Sequence, residues 1–307
     1  MSSPNSTLDL LSRLWLREPD PRALAAAREL PSLAPYAGDD PAALAAAYTD
    51  LFLLNVYPYG TTFTDPSGEL NGPGAWEVAR RYGERGFCPP ELSEVGAPDH
   101  VGLCLGFLEH FESRGEKDVE FSSDLLEWVP VCCLAVEREP SAHPFYKAMA
   151  ELTRQRLMEG IPDSLPLPAC GEWVGVRDEE EEEVGLSHVL RYLLAPARSG
   201  FFLSRAKLGQ LARAAGVSLP FGSRFDVARA LFQTAGESGK VGTVLDLVGE
   251  ELAEWEAAYR AWPEEHPRWA PSAARWLGRT GETRRRLGEM RGILDNPPEL
   301  EYAEESR

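Results

Sequence analysis

The stretch from Ala97 to Phe111, APDHVGLCLGFLEHF, sets the tightest limit on how this chain folds. Val101, Cys104, Leu108 and Phe111 recur at helical spacing, and Leu103, Leu105 and Phe107 widen that stripe. A helix with so little polar face is buried among other elements. Pro98 is expected in its first turn, where a missing N–H leaves nothing unpaired. Asp99 is expected beside it, where the helix dipole favours negative charge. Gly102, Gly106 and His110 fall four apart on another face, leaving room for a neighbouring helix or a bound chain. Asp99 and His100 are the two polar groups at the mouth of this helix.

The rest of the chain keeps the helical period. Helices are expected over 6–17, from Asp20-Pro21 to about Leu30, and from Asp40-Pro41 to about Asn55. More follow over 75–85, 121–139 with Pro130 inside, and 143–159, then over 186–194, 204–215, 225–235, 241–259 and 272–293. Ser6 or Thr7 can cap the first helix, and Asp20-Pro21 and Asp39-Asp40-Pro41 open the second and third, where a first turn tolerates proline. No stretch alternates at period two, so no strand is expected and the fold class is all-α. The expected organisation is a helical block over 1–160, a linker over 161–184 and a second all-helical unit over 185–307. The linker carries clustered prolines and six consecutive acids, Asp178 to Glu183. It reads as a solvated charge run, or as a segment competing for a cleft.

The chain has 307 residues and a formal net charge of -18, which opposes nucleic acid and anionic membranes and attracts basic partners. Five cysteines in an odd set, with no CxxC pair, read as reduced core thiols of a cytoplasmic protein. The first twenty residues lack the basic and apolar regions of a signal peptide. No window reaches the roughly 18 apolar residues of a membrane span, so no membrane insertion is expected.

Catalytic motifs are missing. There is no G-x-G-x-x-G, no phosphate-binding loop and no G-x-S-x-G, so no catalytic residues are assigned and no enzyme is expected. The histidines lack metal-site spacing, and no metal is expected. Two segments stand out instead. The loop VYPYGTTFTDPSGELNGPG is too long for a plain connector. Its aromatics Tyr57, Tyr59 and Phe63 either bind something or plug the bundle. The stretch 204–218 looks like the first helix and turn of a helix-turn-helix-like segment over 204–235, locally basic through Arg205, Lys207, Arg213, Arg224 and Arg229. DNA binding or regulation through it is the alternative reading, against which Leu219-Pro220-Phe221-Gly222 stands where a recognition helix should begin.

Taken in order, the motifs of the first block resemble the TorD/DmsD/NarJ family of all-helical chaperones that mature molybdenum redox enzymes. Tyr48-x-x-Leu51-Phe52 resembles its Y-x-x-L-F helix, and Tyr57-Pro58-Tyr59 is similar to its aromatic loop. Pro98-Asp99-His100, followed by Leu103, Leu105, Phe107 and Leu108, resembles its E-P-x-D-H signature and helix. HPFYKAMAELT from His143 is similar to its closing helix. Gly96 and Ala97 replace the signature's Glu and first Pro, and residues 185–307 extend beyond the resemblance. The resemblance implies a TorD-like bundle with a C-terminal helical extension. It implies a cytoplasmic, non-enzymatic partner of the apo catalytic subunit of a molybdoenzyme, or of its twin-arginine signal peptide. No cofactor would be held permanently, and contact with molybdopterin guanine dinucleotide or GTP would be transient. A homodimer is compatible with it. The expected client-peptide site has Leu103, Phe107 and the loop aromatics Tyr57, Tyr59 and Phe63 as its floor. Pro98, Asp99 and His100 form its rim.

Overall fold

The computed structural model describes residues 6–68, 70–159 and 185–296. The segment 161–184 with its acidic run, and the tail from 297, lie outside the described residues. Fifteen α-helices follow one another along the described chain. They are α1 Thr7–Leu16, α2 Pro21–Arg28, α3 Pro41–Tyr48, α4 Gly60–Thr64, α5 Pro73–Glu84, α6 Leu92–Val95, α7 Val101–Glu112 and α8 Val119–Arg138. After them come α9 Pro144–Glu159, α10 Leu186–Leu194, α11 Pro196–Ser199, α12 Arg205–Ala214, α13 Arg224–Glu237, α14 Val241–Glu265 and α15 Ala270–Asp295. Strands are absent among the described residues, where the one β-type pairing is an isolated bridge between Tyr59 and His100.

The helix starts follow local chemistry. The Ser6 hydroxyl accepts the Asp9 amide, the Asp20 carboxylate the Ala23 amide, and the Ser204 hydroxyl the Lys207 amide. Each satisfies a backbone donor that the helix itself leaves unpaired. Pro130 lies inside α8 without ending it. Tight packing of α8 on α9 outweighs the single hydrogen bond a proline removes.

Some expectations are corrected. The helix from Asp40-Pro41 keeps α-geometry only to Tyr48 and widens into a π-helical segment over Thr49–Asn55, closed by the Val56 amide on the Leu51 carbonyl. The wider turn buries both Leu51 and Phe52. The long loop contains α4. The helix expected over 241–259 continues through Pro263 to Glu265. Pro98 and Asp99 do not lie in the first turn of α7, because His100 is its N-cap and both residues precede it in a separate turn. Cys104, Cys132 and Cys133 are buried free thiols, but Cys88 is exposed, so it is no core residue.

In the first block, Trp15 is fully buried and its indole N–H donates to Thr153 on α9, while the Tyr48 hydroxyl donates to the Trp15 carbonyl. Phe52 and Tyr146 complete this aromatic cluster. Helix α1 lies against α7, where a Cβ on Gly102 would stand 2.6 Å from Leu16 and 2.8 Å from the Ser12 carbonyl. In the extension, α14 and α15 pair lengthwise around Trp255, Tyr259, Trp262, Trp269 and Trp276.

The two blocks share one contiguous apolar core. Polar contacts stitch it at the seam. Glu251 on α14 accepts from Arg138 on α8 at 2.9 Å and from the Trp255 indole at 3.0 Å, and its other oxygen pairs with Lys207 at 3.0 Å. The Trp276 indole donates to the Glu127 carbonyl.

Candidate functional site

The sequence places Asp99 and His100 at the entry to α7, and the structure shows what that entry packs against. Residues 57–61 run alongside residues 99–101. The Gly60 amide donates to the Asp99 carbonyl and the Val101 amide to the Pro58 carbonyl, each at 2.9 Å. The Thr61 amide donates to Asp99 Oδ2 at 2.7 Å, and the Tyr59 hydroxyl to the Val95 carbonyl at 2.8 Å. The Tyr59 ring meets His100 edge-on at 4.9 Å. Beneath this strap, Asp99 is 2% exposed and His100 3%.

Burial decides the charge state of both. It raises the Asp99 carboxyl above the ordinary range, against the opposing pull of the Thr61 amide. It depresses His100 to about 3, so the ring is neutral. His100 Nδ1 accepts the Gly102 amide at 3.1 Å, which puts the ring proton on Nε2 and makes the histidine the cap of its own helix. Asp99 Oδ1 and the hydroxyl oxygens of Thr61 and Thr62 are buried and have no hydrogen-bond partner. An unpaired buried polar atom costs about 1–3 kcal/mol, so three in one place are a local weakness in an otherwise tight core.

The expected site residues divide into three groups. Tyr59, Pro98, Asp99 and His100 are brought together at the strap. Phe63 is fully buried one turn on, stacked over Trp128 and against Phe202 of the extension, while half-buried Tyr57 packs on the core. Leu103 and Phe107 face away from the strap. Phe107 is fully buried among Tyr82, Phe87, Phe111 and Phe121. Leu103 lines a different feature, an open groove of about 490 Å³ between α1, α7 and the segment 86–91.

That groove was not legible as a site in the sequence. Its apolar surface comes from Leu16, Phe87, Pro89, Pro90 and Leu103, and its rim carries Asp9, Glu91 and Glu109 beside Arg13 and His110. Arg13 pairs with Asp9, and Glu91 with Arg17. Glu109 accepts only from the Ser6 hydroxyl among these groups. The glycine stripe was its one signal. Gly102 admits α1, and Gly106, with room to Phe87, lines the groove beside it.

In the basic segment 204–235, Lys207 and Arg224 are engaged inside the protein, while Arg205 and Arg229 make their contacts at its surface. Lys207 pairs with Glu251, Arg229 with Asp226, and Arg224 donates to the Leu194 carbonyl over the Phe202 ring. Arg205 stacks on Phe221. Among the described residues, no group of three or more His, Cys, Asp or Glu is placed to hold a metal ion, and no helix is long and apolar enough to cross a membrane.

Comparison with known proteins gives one match. No curated protein and no solved structure matches the chain. The family model described as nitrate reductase delta subunit matches residues 19–133, from α2 into α8, and so contains the strap, the signature and most of the groove. The extension lies outside the match. Over residues 19–133, therefore, the chain is similar to the nitrate reductase delta subunit family.

Proposed function

We propose that this protein holds the apo catalytic subunit of a molybdenum oxidoreductase until its cofactor is inserted, acting in the cytoplasm and catalysing no reaction. The family match over residues 19–133 carries this reading. A client segment docks in the groove between α1 and α7, with its apolar side chains on Leu16, Phe87 and Leu103 and its basic ones at Asp9, Glu91 and Glu109. The arginine-bearing signal peptide of an exported subunit is a segment of that kind. The net charge of -18 speeds its approach at low salt. Asp99 and His100 support the groove from behind by fixing the start of α7. Contact with molybdopterin guanine dinucleotide or GTP is transient in this reading.

Affinity capture from a host expressing such an enzyme tests it. The wild type is expected to recover the apo catalytic subunit, and the Glu91→Gln/Glu109→Gln variant roughly tenfold less at low salt. Recovery of no such subunit would count against the chaperone reading, and equal recovery by the variant against the groove.

A further inference from the structure

The strap over Asp99 is held from two sides. Its inner side pairs with residues 99–101 as described above. Its outer side faces the extension, which the family match does not include. There α11 packs on α4, and Phe202 lies against Phe63 at 5.5 Å. Gly68, just past α4, faces Ala195. Before the strap, Asn55 is 2% exposed, and its Oδ1 accepts the Ala206 amide at 2.9 Å. That amide is one of the first in α12, which the helix cannot satisfy itself. Both ends of residues 55–63 are therefore fastened by the extension, while the three unpaired oxygens sit beneath the middle.

We infer that the C-terminal extension is an intramolecular latch, which holds the 57–64 strap closed over Asp99 and His100 and so controls whether that face is open. A chain without the extension keeps the inner backbone pairing but loses the Phe202 and Ala206 contacts. The unpaired Asp99, Thr61 and Thr62 oxygens then favour an open strap, in which water or a bound partner satisfies them. Local opening of this kind draws on the less stable parts of a fold without unfolding the rest. The value of the open face to a client rests on the chaperone reading, whereas the latch itself is measurable with no client present.

Hydrogen exchange on the full chain tests it. Phe202→Leu and Asn55→Ala, read separately, are expected to speed exchange of the Gly60, Thr61 and Val101 amides at least tenfold, with the α1 amides unchanged. Leu287→Ala weakens the extension's core away from the strap and serves as the control for general destabilisation. The latch is overturned if strap exchange stays at the wild-type rate in both variants. It is overturned equally if strap exchange rises only in step with α1, as in the control. Neither result depends on client capture, so failure of the latch and failure of the chaperone reading are separable.

Discussion

The Thr61 amide meets Asp99 Oδ2 at 2.7 Å, and the carboxylate's other oxygen meets nothing. One hydrogen bond does not offset the burial of a charge, so the proton is held more tightly in the folded chain than in the unfolded one. Asp99 and His100 therefore act in opposite directions on stability.

For Asp99 the folded state binds the extra proton. Stability from this group is greatest below its ordinary value of 3.8 and is lost as pH rises through its raised folded value. Asp99→Asn keeps the acceptor for the Thr61 amide and removes the titration. The variant is expected to gain on the wild type as pH rises from 4 to 7, by about 2–4 °C in Tm. A gap that stays constant across that range would refute it.

For His100 the unfolded state binds the extra proton. Its contribution is complete above pH 6.5 and is lost as pH falls toward about 3. His100→Ala removes the cap on Gly102 and is expected to cost at least about 1 kcal/mol at pH 7 in urea unfolding. His100→Asn, which can cap without titrating, should recover part of that cost and flatten the acid side of the profile.

The seam depends on Glu251. Its carboxylate is buried, faces both Arg138 and Lys207 and accepts the Trp255 indole, so Glu251→Ala strands Lys207 and the indole and leaves Arg138 only its partner Glu254. A loss of about 3–5 kcal/mol is expected. Because one apolar core spans both blocks, calorimetry should show both melting in a single transition in the wild type. Two separate wild-type transitions would contradict the shared core.

The two glycines of α7 should respond differently to alanine. A Cβ on Gly102 meets the Ser12 carbonyl at 2.8 Å and Leu16 at 2.6 Å, so overpacking of about 1–3 kcal/mol exceeds the roughly 1 kcal/mol gained in helix propensity. At Gly106 the nearest atom is the Ser12 hydroxyl at 3.1 Å, which needs to give only a few tenths of an ångström while keeping its hydrogen bond to the Gly102 carbonyl. Denaturant midpoints should show Gly102→Ala destabilised and Gly106→Ala close to the wild type.

Cys88 reports on the groove. It is exposed there, while Cys104, Cys132 and Cys133 are buried. In a Cys170→Ser background, a thiol reagent should modify Cys88 in the native state and the other three only on unfolding. A client segment bound in the groove should slow the Cys88 reaction at least tenfold, and an unchanged rate with client bound would place the client elsewhere.

The sequence by itself determined the helical class, most helix starts and the likeness to a known family over the first block. These follow from period and from caps, which act between residues a few positions apart. Ser6, Asp20 and Ser204 cap as their positions require. Even the glycine stripe on α7 announced a close neighbour. Only the tertiary structure decided which polar groups reach solvent. Asp99 and His100 read as a rim because a helix entry is normally wet, yet the strap pairs with them through backbone atoms that carry no sequence signature. The groove likewise needs α1, α7 and the segment 86–91 together, and the seam at Glu251 needs residues more than a hundred positions apart. Such contacts are set by how whole helices pack, and no local pattern encodes that.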